Sequence, residues 1–261
     1  PMSEGREKAL MGLERSLKIP EDVIDVMAQS KRPAEATSHP DVSVKRFKEM
    51  ARAPKDKKKN LVDKLKNKFK NFKVDKFSAQ PELFNKLAAA QEPKVMLITC
   101  IDSRCNPTML LGLEAGEAFV VRNVANFVHP YDEAGQVRCR AATQFAVSVM
   151  NVEHIVVMGH SSCGGIKALM SRDDFTTDLV GSWVKVGLPA KEKVKALHPD
   201  KSDYEQMSFC EKEAVNVSLK NLLTYPYIEE RVKDGRLQIH GMYYHLGKGI
   251  LTSWDIIPLP K

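Results

Sequence analysis

Two short stretches, each directly after an apolar run rich in β-branched residues, limit what this chain can fold into. The run 95–98 leads into Thr-Cys-Ile-Asp-Ser-Arg at 99–104, and the run 155–158 leads into Gly-His-Ser-Ser-Cys-Gly-Gly at 159–165. Continuous apolar runs of this length are typical of buried strands in a parallel sheet. The chain is therefore predicted to be an α/β protein, with a central, mostly parallel β-sheet flanked by helices and with a helical N-terminal extension.

The residues that follow these two strands predict a metal site. Cys100 and His160 would lie where the strands end, and Cys163 would lie one turn beyond His160. Ligands of open α/β sheets gather at the carboxyl ends of strands, so the three side chains are expected to converge. Three such ligands leave the fourth tetrahedral position of a zinc ion for water or substrate, as in catalytic zinc sites. Each residue taken alone could instead be an ordinary buried core residue.

Length, charge and cysteine content restrict the class of protein further. A chain of 261 residues can form one large α/β domain or two small ones. Its five cysteines are odd in number and widely spaced, which argues against a disulfide framework and for a reducing compartment. No apolar run approaches the ~20 residues of a membrane helix, and no secretory signal is visible, so we expect no membrane partner.

The first part of the chain differs in composition from the rest. Residues 1–60 are predicted to be a helical extension with a linker, and residues 61–261 to be the main domain. Leucines at helical spacing indicate a helix within 4–17, and Pro20 with the acids after it indicates the start of a second helix. The stretch 30–54 is rich in Lys, Arg, Pro and Ala and is predicted to be a linker or surface arm.

The basic stretch 55–76 has two interpretations. Its apolar residues fall on one helical stripe, which favours an amphipathic helix with a solvated lysine face and an apolar face that needs a partner surface: Leu61, Leu65, Phe69 and Phe72. The alternative is an arm that binds nucleic acid or another acidic surface. The amphipathic helix is the preferred interpretation, and nucleic acid is regarded as an unlikely partner.

The remaining segments predict how the sheet is completed. A strand region is expected over 118–128, a right-handed crossover helix over 138–150, and a long polar insertion with one helix over 173–203. Two final strands, 237–246 and 250–256, are expected to pair around the turn between them.

Taken together, the two motifs resemble those of the β-class carbonic anhydrases, and of the plant-type members in particular. The similarity continues through Gly-Glu-Ala-Phe-Val-Val-Arg-Asn-Val-Ala-Asn at 116–126 and Cys-Glu-Lys-Glu-Ala-Val-Asn-Val-Ser-Leu at 210–219, and it covers about residues 61–255. It implies a zinc lyase that reversibly hydrates carbon dioxide to bicarbonate and a proton by attack of zinc-bound hydroxide. It also implies that Zn²⁺ is held by the three residues named above, Cys100, His160 and Cys163.

The resemblance also assigns catalytic roles to Asp102 and Arg104. Arginine can hold a carboxylate with two hydrogen bonds, which fixes the rotamer of Asp102 and keeps it ionised. In the family, such an aspartate either accepts a hydrogen bond from the zinc-bound hydroxide, which is the active arrangement, or becomes a fourth metal ligand, which is the closed one. Without the resemblance, the pair would be an exposed loop ion pair of about 0–1 kcal/mol.

Four residues are assigned to substrate binding. Gln91 resembles a family residue whose amide binds substrate, often across a dimer interface, and Phe119 and Val124 resemble the apolar wall of the carbon dioxide pocket. Gly164 opens the next helix, where free N–H groups favour a nearby anion. Ordinary core packing is the alternative for Gln91, Phe119 and Val124. The chain departs from many plant-type members at Phe145, where they carry a tyrosine whose hydroxyl reaches the pocket.

Several titratable residues remain without an assigned role. Four histidines could relay protons, and the sequence does not choose among them: His129, His154, His240 and His245. Three cysteines are expected to be inert packing residues rather than redox sensors: Cys105, Cys139 and Cys210.

The resemblance implies self-association as a dimer or higher oligomer, because the family's pocket is completed by a neighbouring subunit and the helix equivalent to 55–76 packs against one. It also suggests a location in the chloroplast stroma or the cytoplasm. Two other functions are left open. One is hydrolysis of carbonyl sulfide or carbon disulfide at the same zinc, and the other is a non-catalytic zinc protein that binds nucleic acid through its basic segment.

Overall fold

A computed structural model of the chain describes residues 55–131 and 137–255. The two helices and the linker predicted before residue 55 lie outside the described residues. The proposed division of the chain at residue 60 therefore stays a prediction.

The described residues belong to two compact units that divide between Asn71 and Phe72. The first unit contains most of helix α1, Lys55–Phe72, which confirms the helix predicted for the basic stretch. Two residues of its apolar stripe, Leu65 and Phe69, are 56% and 63% exposed. None of the helices in the described part of the chain has the length and apolar content needed to span a bilayer.

The second unit is built on a five-stranded sheet with the order β2–β1–β3–β4–β5. The strands are β1 (Val95–Cys100), β2 (Ala118–Asn123), β3 (His154–His160), β4 (Gln238–His245) and β5 (Ile250–Asp255). The first four are parallel, and β5 runs antiparallel to β4. Every residue of β1 and β3 after the first is buried, as expected for the interior strands of a sheet with covered faces.

One helix precedes β1, and the others fill the connections between the strands. They are α2 (Pro81–Ala89), α3 (Pro107–Leu111), α4 (Val137–Gln144), α5 (Gly164–Met170), α6 (Leu179–Val184), α7 (Leu188–Leu197), α8 (Asp203–Leu222) and α9 (Pro226–Lys233). The longest, α8, begins at a capping box in which Ser202 and Glu205 satisfy each other's backbone N–H groups. This mixed, mostly parallel sheet with flanking helices confirms the predicted fold class.

The buried apolar residues form two clusters. One packs Ile98 of β1 and Ile155 of β3 against Val215 and Leu219 of α8. The other contains Cys100 and Cys163 and collects residues from α5, α6, α7 and α8. The second cluster lies around the carboxyl ends of β1 and β3, so those ends are embedded in packed protein.

The strand predicted over 118–128 is too long. β2 ends at Asn123 and is followed by a 3₁₀ turn, Val124–Asn126, in which Ala125 and Asn126 have φ of +60° and +50°. Left-handed φ values in residues other than glycine are uncommon and leave no clear mark in an apolar sequence. The early end of β2 turns the following segment toward the second cluster.

The segment 173–203 is not simply a polar insertion. It contains helix α6, which the sequence analysis missed, as well as the expected α7. Val184 and Ala190 are fully buried, and the Lys191 ammonium group, which is also buried, donates to the Arg172 carbonyl. The charged residues of this segment cover apolar residues that pack onto the second cluster.

Candidate metal centre

Two neighbouring strands place Cys100 and His160 side by side. Cys100 is the last residue of β1, His160 is the last residue of β3, and Cys163 immediately precedes α5. Their donor atoms all lie within 4.8 Å of one another, and the two Sγ atoms are 3.9 Å apart. All three side chains are buried. The convergence predicted from the sequence is therefore present.

The chemistry of the three donors fits a thiophilic divalent metal ion. The His160 Nδ1–H donates to the Ser161 carbonyl at 2.9 Å, which leaves Nε2 as the lone-pair nitrogen. That Nε2 is buried and has no hydrogen-bond partner among the described residues. The contact between the Cys100 and Cys163 Sγ atoms lowers the pKa of Cys100, which favours its thiolate. Soft thiolates and an imidazole are the ligands that zinc prefers.

Asp102 and Arg104 form a paired side-chain contact beside this group. Arg104 donates from Nε to Asp102 Oδ1 at 2.9 Å and from Nη2 to Oδ2 at 2.6 Å. The Arg104 guanidinium holds the pKa of the Asp102 carboxyl well below its usual range. Asp102 Oδ2 is 4.0 Å from His160 Nε2. An ionised, oriented carboxylate therefore stands next to the proposed ligands.

The turn between β3 and α5 is held in place at each residue. Ser161 donates its N–H to the Tyr244 carbonyl, and its hydroxyl accepts from the N–H of Leu246. Ser162 has φ of +57°, a left-handed conformation that costs about 1 kcal/mol or more in such a residue. Its carbonyl accepts from Arg104 Nη2 at 3.1 Å. The turn that carries Cys163 is thus strained and restrained by contacts from outside it.

The sequence analysis missed two further polar residues at the centre. Arg122, in β2, donates to the carbonyls of Cys100 and Asp102 at 2.9 and 2.7 Å, and so fixes the loop after β1. Glu211, in α8, accepts the backbone N–H of Cys163 at 3.0 Å. An arginine within a strand next to the cysteine strand could have indicated the first contact. The contact from Glu211 depends on how α8 packs, and no local sequence pattern indicates it.

Val124 and Gly164, two of the four residues assigned to substrate binding, lie at the metal centre. Val124 packs against the cluster that contains Cys100 and Cys163. Gly164 follows Cys163 directly, and no atom lies within 4 Å of the position that a Cβ would occupy there. Both positions are compatible with the walls of a small pocket.

Gln91 and Phe119, the other two, are not brought to the centre by the single chain. Phe119 is paired with Met96, four residues before Cys100, and the rise of a strand makes this separation about 13 Å. Its ring contacts that of Phe145 edge to face, with centroids 6.0 Å apart. Gln91 is exposed and precedes β1, near the end of the strand opposite to Cys100. Their predicted contact with substrate therefore requires a second copy of the chain.

Two of the four candidate proton-relay histidines lie away from the ligands. His154 begins β3, whereas His160 ends it. Its Nδ1 lies 3.1 Å from Nε2 of His240, whose Nδ1 contacts Asp255 at 2.6 Å. These two histidines form a hydrogen-bonded chain of their own. His245 is the last residue of β4 and lies at the carboxyl ends of the parallel strands, as the metal ligands do.

Two of the three remaining thiols are buried, as expected for inert packing. Cys105 and Cys210 are 1% and 0% exposed. Burial raises the pKa of Cys210 to about 12, which leaves very little thiolate at neutral pH. The side chain of Cys139 lies outside the described residues.

Comparison with known proteins gives the same indication as this geometry. Residues 95–251 match a protein family described as "Carbonic anhydrase". Beta carbonic anhydrase 3 of Arabidopsis thaliana is 43% identical over 203 residues, which are 76% of this chain and 79% of that protein. The chloroplastic beta carbonic anhydrase 5 of the same plant is 43% identical over 199 residues, 76% of this chain and 66% of that protein.

A likeness to solved structures extends this agreement to the fold. One of two tetrameric β-carbonic anhydrases from the filamentous ascomycete Sordaria macrospora superposes with a TM-score of 0.65 and 30% sequence identity. The match covers 74% of this chain and 96% of the fungal chain. The matched family segment spans β1 to the first residues of β5 and contains the three metal-ligand candidates.

Proposed function

Since the chain belongs to the β-carbonic anhydrase family, we propose that it hydrates carbon dioxide reversibly at a zinc ion held by Cys100, His160 and Cys163. The observation that carries this proposal is the buried Cys–His–Cys group with its unpartnered imidazole nitrogen. Buried polar atoms are almost always hydrogen-bonded, so an orphaned Nε2 between two thiols calls for a ligand. A metal ion is the ligand that this donor set fits.

The protein holds this metal with three of its own groups. Cys100 and Cys163 would bind as thiolates and His160 through Nε2, with Nδ1–H fixed on the Ser161 carbonyl. Zinc bound by these residues would provide hydroxide near neutral pH, because it lowers the pKa of a coordinated water to about 7. Thiolates donate more charge than imidazoles do and would leave that water less acidic, so the charges around the site must offset this difference.

Asp102 is proposed to orient the attacking hydroxide by accepting its hydrogen bond. The two contacts from Arg104 fix both carboxylate oxygens and keep the group ionised, which supports the open arrangement rather than the closed one. Moving Asp102 onto the metal would break at least one of these contacts. Arg104 therefore acts by holding Asp102 in its accepting position.

Substrate is proposed to bind between two copies of the chain. Val124 and Gly164 would form the near wall, and Gln91 and Phe119 would be contributed by the neighbour, since the single chain keeps them away from the ligands. Carbon dioxide is small and apolar, so a valine, a phenylalanine ring and one amide donor suffice to hold it. Phe145, beside Phe119, adds no hydroxyl to this pocket.

Self-association follows from the same argument, and the tetrameric fungal relative supports it. The exposed apolar stripe of α1 supplies a surface for a neighbouring subunit. For the compartment, we propose the chloroplast stroma or the cytoplasm, with the chloroplastic plant relative favouring the former.

The proposal is tested by stopped-flow measurement of carbon dioxide hydration with zinc analysis on the same sample. We expect fast hydration and about one zinc per chain. Cys163→Ala should lose both, whereas Cys210→Ala, which removes a buried thiol outside the centre, should keep both.

Zinc without hydration at both pH 7 and pH 8.5 would contradict carbon dioxide as the substrate, and carbonyl sulfide would then be tested. A sample with no zinc would contradict the metal site itself. Binding to nucleic acid that weakens with salt would in that case support the basic helix as the functional element.

A further inference from the structure

Glu211 is a buried carboxylate without a charged partner among the described residues. It is 2% exposed and lies in α8, and no ion pair within 4.0 Å joins it to another residue in the part of the chain that the structure describes. Its two oxygens accept hydrogen bonds from two separate parts of the chain. Oε1 accepts from the backbone N–H of Cys163 at 3.0 Å, and Oε2 accepts from the Tyr243 hydroxyl at 2.7 Å. Burying a carboxylate is costly, so its retention here requires a reason.

The packing of α8 against β3 brings Glu211 to this position. Gly159, next to His160, makes the close approach possible: a Cβ there would lie 2.7 Å from Val215 Cγ2 and 3.4 Å from the Glu211 backbone oxygen. Tyr243 belongs to β4, is 3% exposed, and is the register partner of Gly159. Glu211 is therefore enclosed by α8, β3 and β4. This enclosure fixes the direction from which its carboxylate accepts a hydrogen bond.

Cys163 needs a restraint of this kind more than the other two ligands do. Cys100 and His160 belong to interior strands, whose ladders fix their backbones. Cys163 lies outside the sheet, directly after Ser162 with its left-handed φ. It is also the N-cap residue of α5, and its side chain makes no capping hydrogen bond. Its carbonyl accepts from the Lys167 N–H as α5 begins, and the contact of its own N–H with Glu211 is the restraint that comes from α8.

We propose that Glu211, oriented by Tyr243, is a positioning residue that fixes Cys163 as the third metal ligand. The proposal rests on the metal site proposed above. The chain of contacts runs from the Tyr243 hydroxyl through the Glu211 carboxylate to the Cys163 amide, and that amide sets where Sγ points. Groups that orient metal ligands in this way commonly change metal affinity about 10- to 100-fold when removed.

The test is the rate at which the zinc-loaded protein gives up its metal to a chelator, with the spectrum of the cobalt-substituted protein as second readout. Glu211→Ala should release zinc about 10- to 100-fold faster and shift the thiolate-to-cobalt absorption. Glu211→Gln, whose amide oxygen can still accept from Cys163, should recover part of the loss. Tyr243→Phe should give a smaller acceleration, since Glu211 remains but is less oriented.

Glu213→Gln is the matched control, because it neutralises a largely buried glutamate on the same helix that pairs with Lys193 instead. It should release zinc at the wild-type rate. If Glu211→Ala lowers thermal stability but releases zinc and absorbs as the wild type does, Glu211 is only a packing residue and the inference is wrong.

If Glu211→Ala does not fold, Tyr243→Phe provides the test with the same two readouts. Zinc release at the wild-type rate from Tyr243→Phe would then overturn the inference. The outcome is independent of the reaction proposed above. Wild-type protein that binds zinc but does not hydrate carbon dioxide would contradict the proposed reaction, and would leave this measurement intact.

Discussion

Asp102 has the most sharply defined environment of the residues proposed to act in catalysis. Arg104 lowers the pKa of its carboxyl in the folded protein below that in the unfolded chain. The stabilisation from this pair is therefore present above about pH 4 and is lost only as the pH falls below that value. Asp102 thus stays ionised across the whole range in which a carbonic anhydrase is assayed.

Asp102→Asn should retain zinc but lose hydration activity by roughly a hundredfold, because the amide cannot accept in the same way. Since Asp102 does not titrate between pH 6 and pH 9, the loss should be uniform across a kcat–pH profile rather than a shift of its midpoint. Asp200→Asn, in an exposed turn, is the control and should leave both the zinc content and the hydration rate unchanged. A near wild-type rate for Asp102→Asn would refute its role.

At the scale of elements, the approach of α5 to the turn after β2 determines the shape of the site. A Cβ on Gly165 would lie 2.7 Å from Val124 Cγ1 and 2.8 Å from Ala125 Cβ, whereas one on Gly164 would meet no atom within 4 Å. Gly165→Ala should therefore destabilise the protein by about 1–3 kcal/mol in urea unfolding. Gly164→Ala should leave stability almost unchanged. Equal stabilities for the two variants would contradict this packing.

Gly164→Ala then becomes informative about function. Its added methyl would project into open space beside Cys163, where substrate is proposed to bind. A lower rate of carbon dioxide hydration at unchanged stability would support the assignment of Gly164 to the pocket. An unchanged rate would contradict that assignment.

Continuous burial explains why the elements of the site could be predicted. The apolar runs before Cys100 and His160 are covered on both faces, so they carry a strong pattern, and parallel pairing sets both ligands at one edge of the sheet. The end of β2 could not be predicted, because it depends on left-handed Ala125 and Asn126. Glu211 was missed since its partners are 48 and 32 residues away in sequence.

At the scale of the whole molecule, the exposed stripe of α1 predicts an assembly. Leu65→Glu with Phe69→Glu should lower the mass in solution measured by light scattering, because each places a charge in an apolar contact. Lys66→Gln with Lys70→Gln changes the net charge equally on neighbouring exposed positions and should leave the mass unchanged. If both double variants keep the wild-type mass, α1 does not carry the subunit contact.

The location of Gln91 makes a second prediction about the assembly. Chains carrying Gln91→Ala and chains carrying Asp102→Asn should each be poorly active alone. If Gln91 acts on its neighbour's metal centre, a purified mixed dimer contains one intact site and should recover about half of the wild-type rate. Activity no higher than that of the two parents would show that Gln91 acts within its own chain, or not at all.

The strand order has a consequence for how the protein is made. Cys100 ends an interior strand of the sheet, but β4, which pairs with β3 on the side away from β1, is completed only at His245. At 5–20 residues per second, the ribosome needs about 7–30 seconds to travel between these two positions. During that interval, the thiols that will become buried ligands are exposed to whatever oxidants surround the nascent chain. We therefore expect that the protein needs a reducing environment while it is synthesised, before the finished fold can protect these thiols.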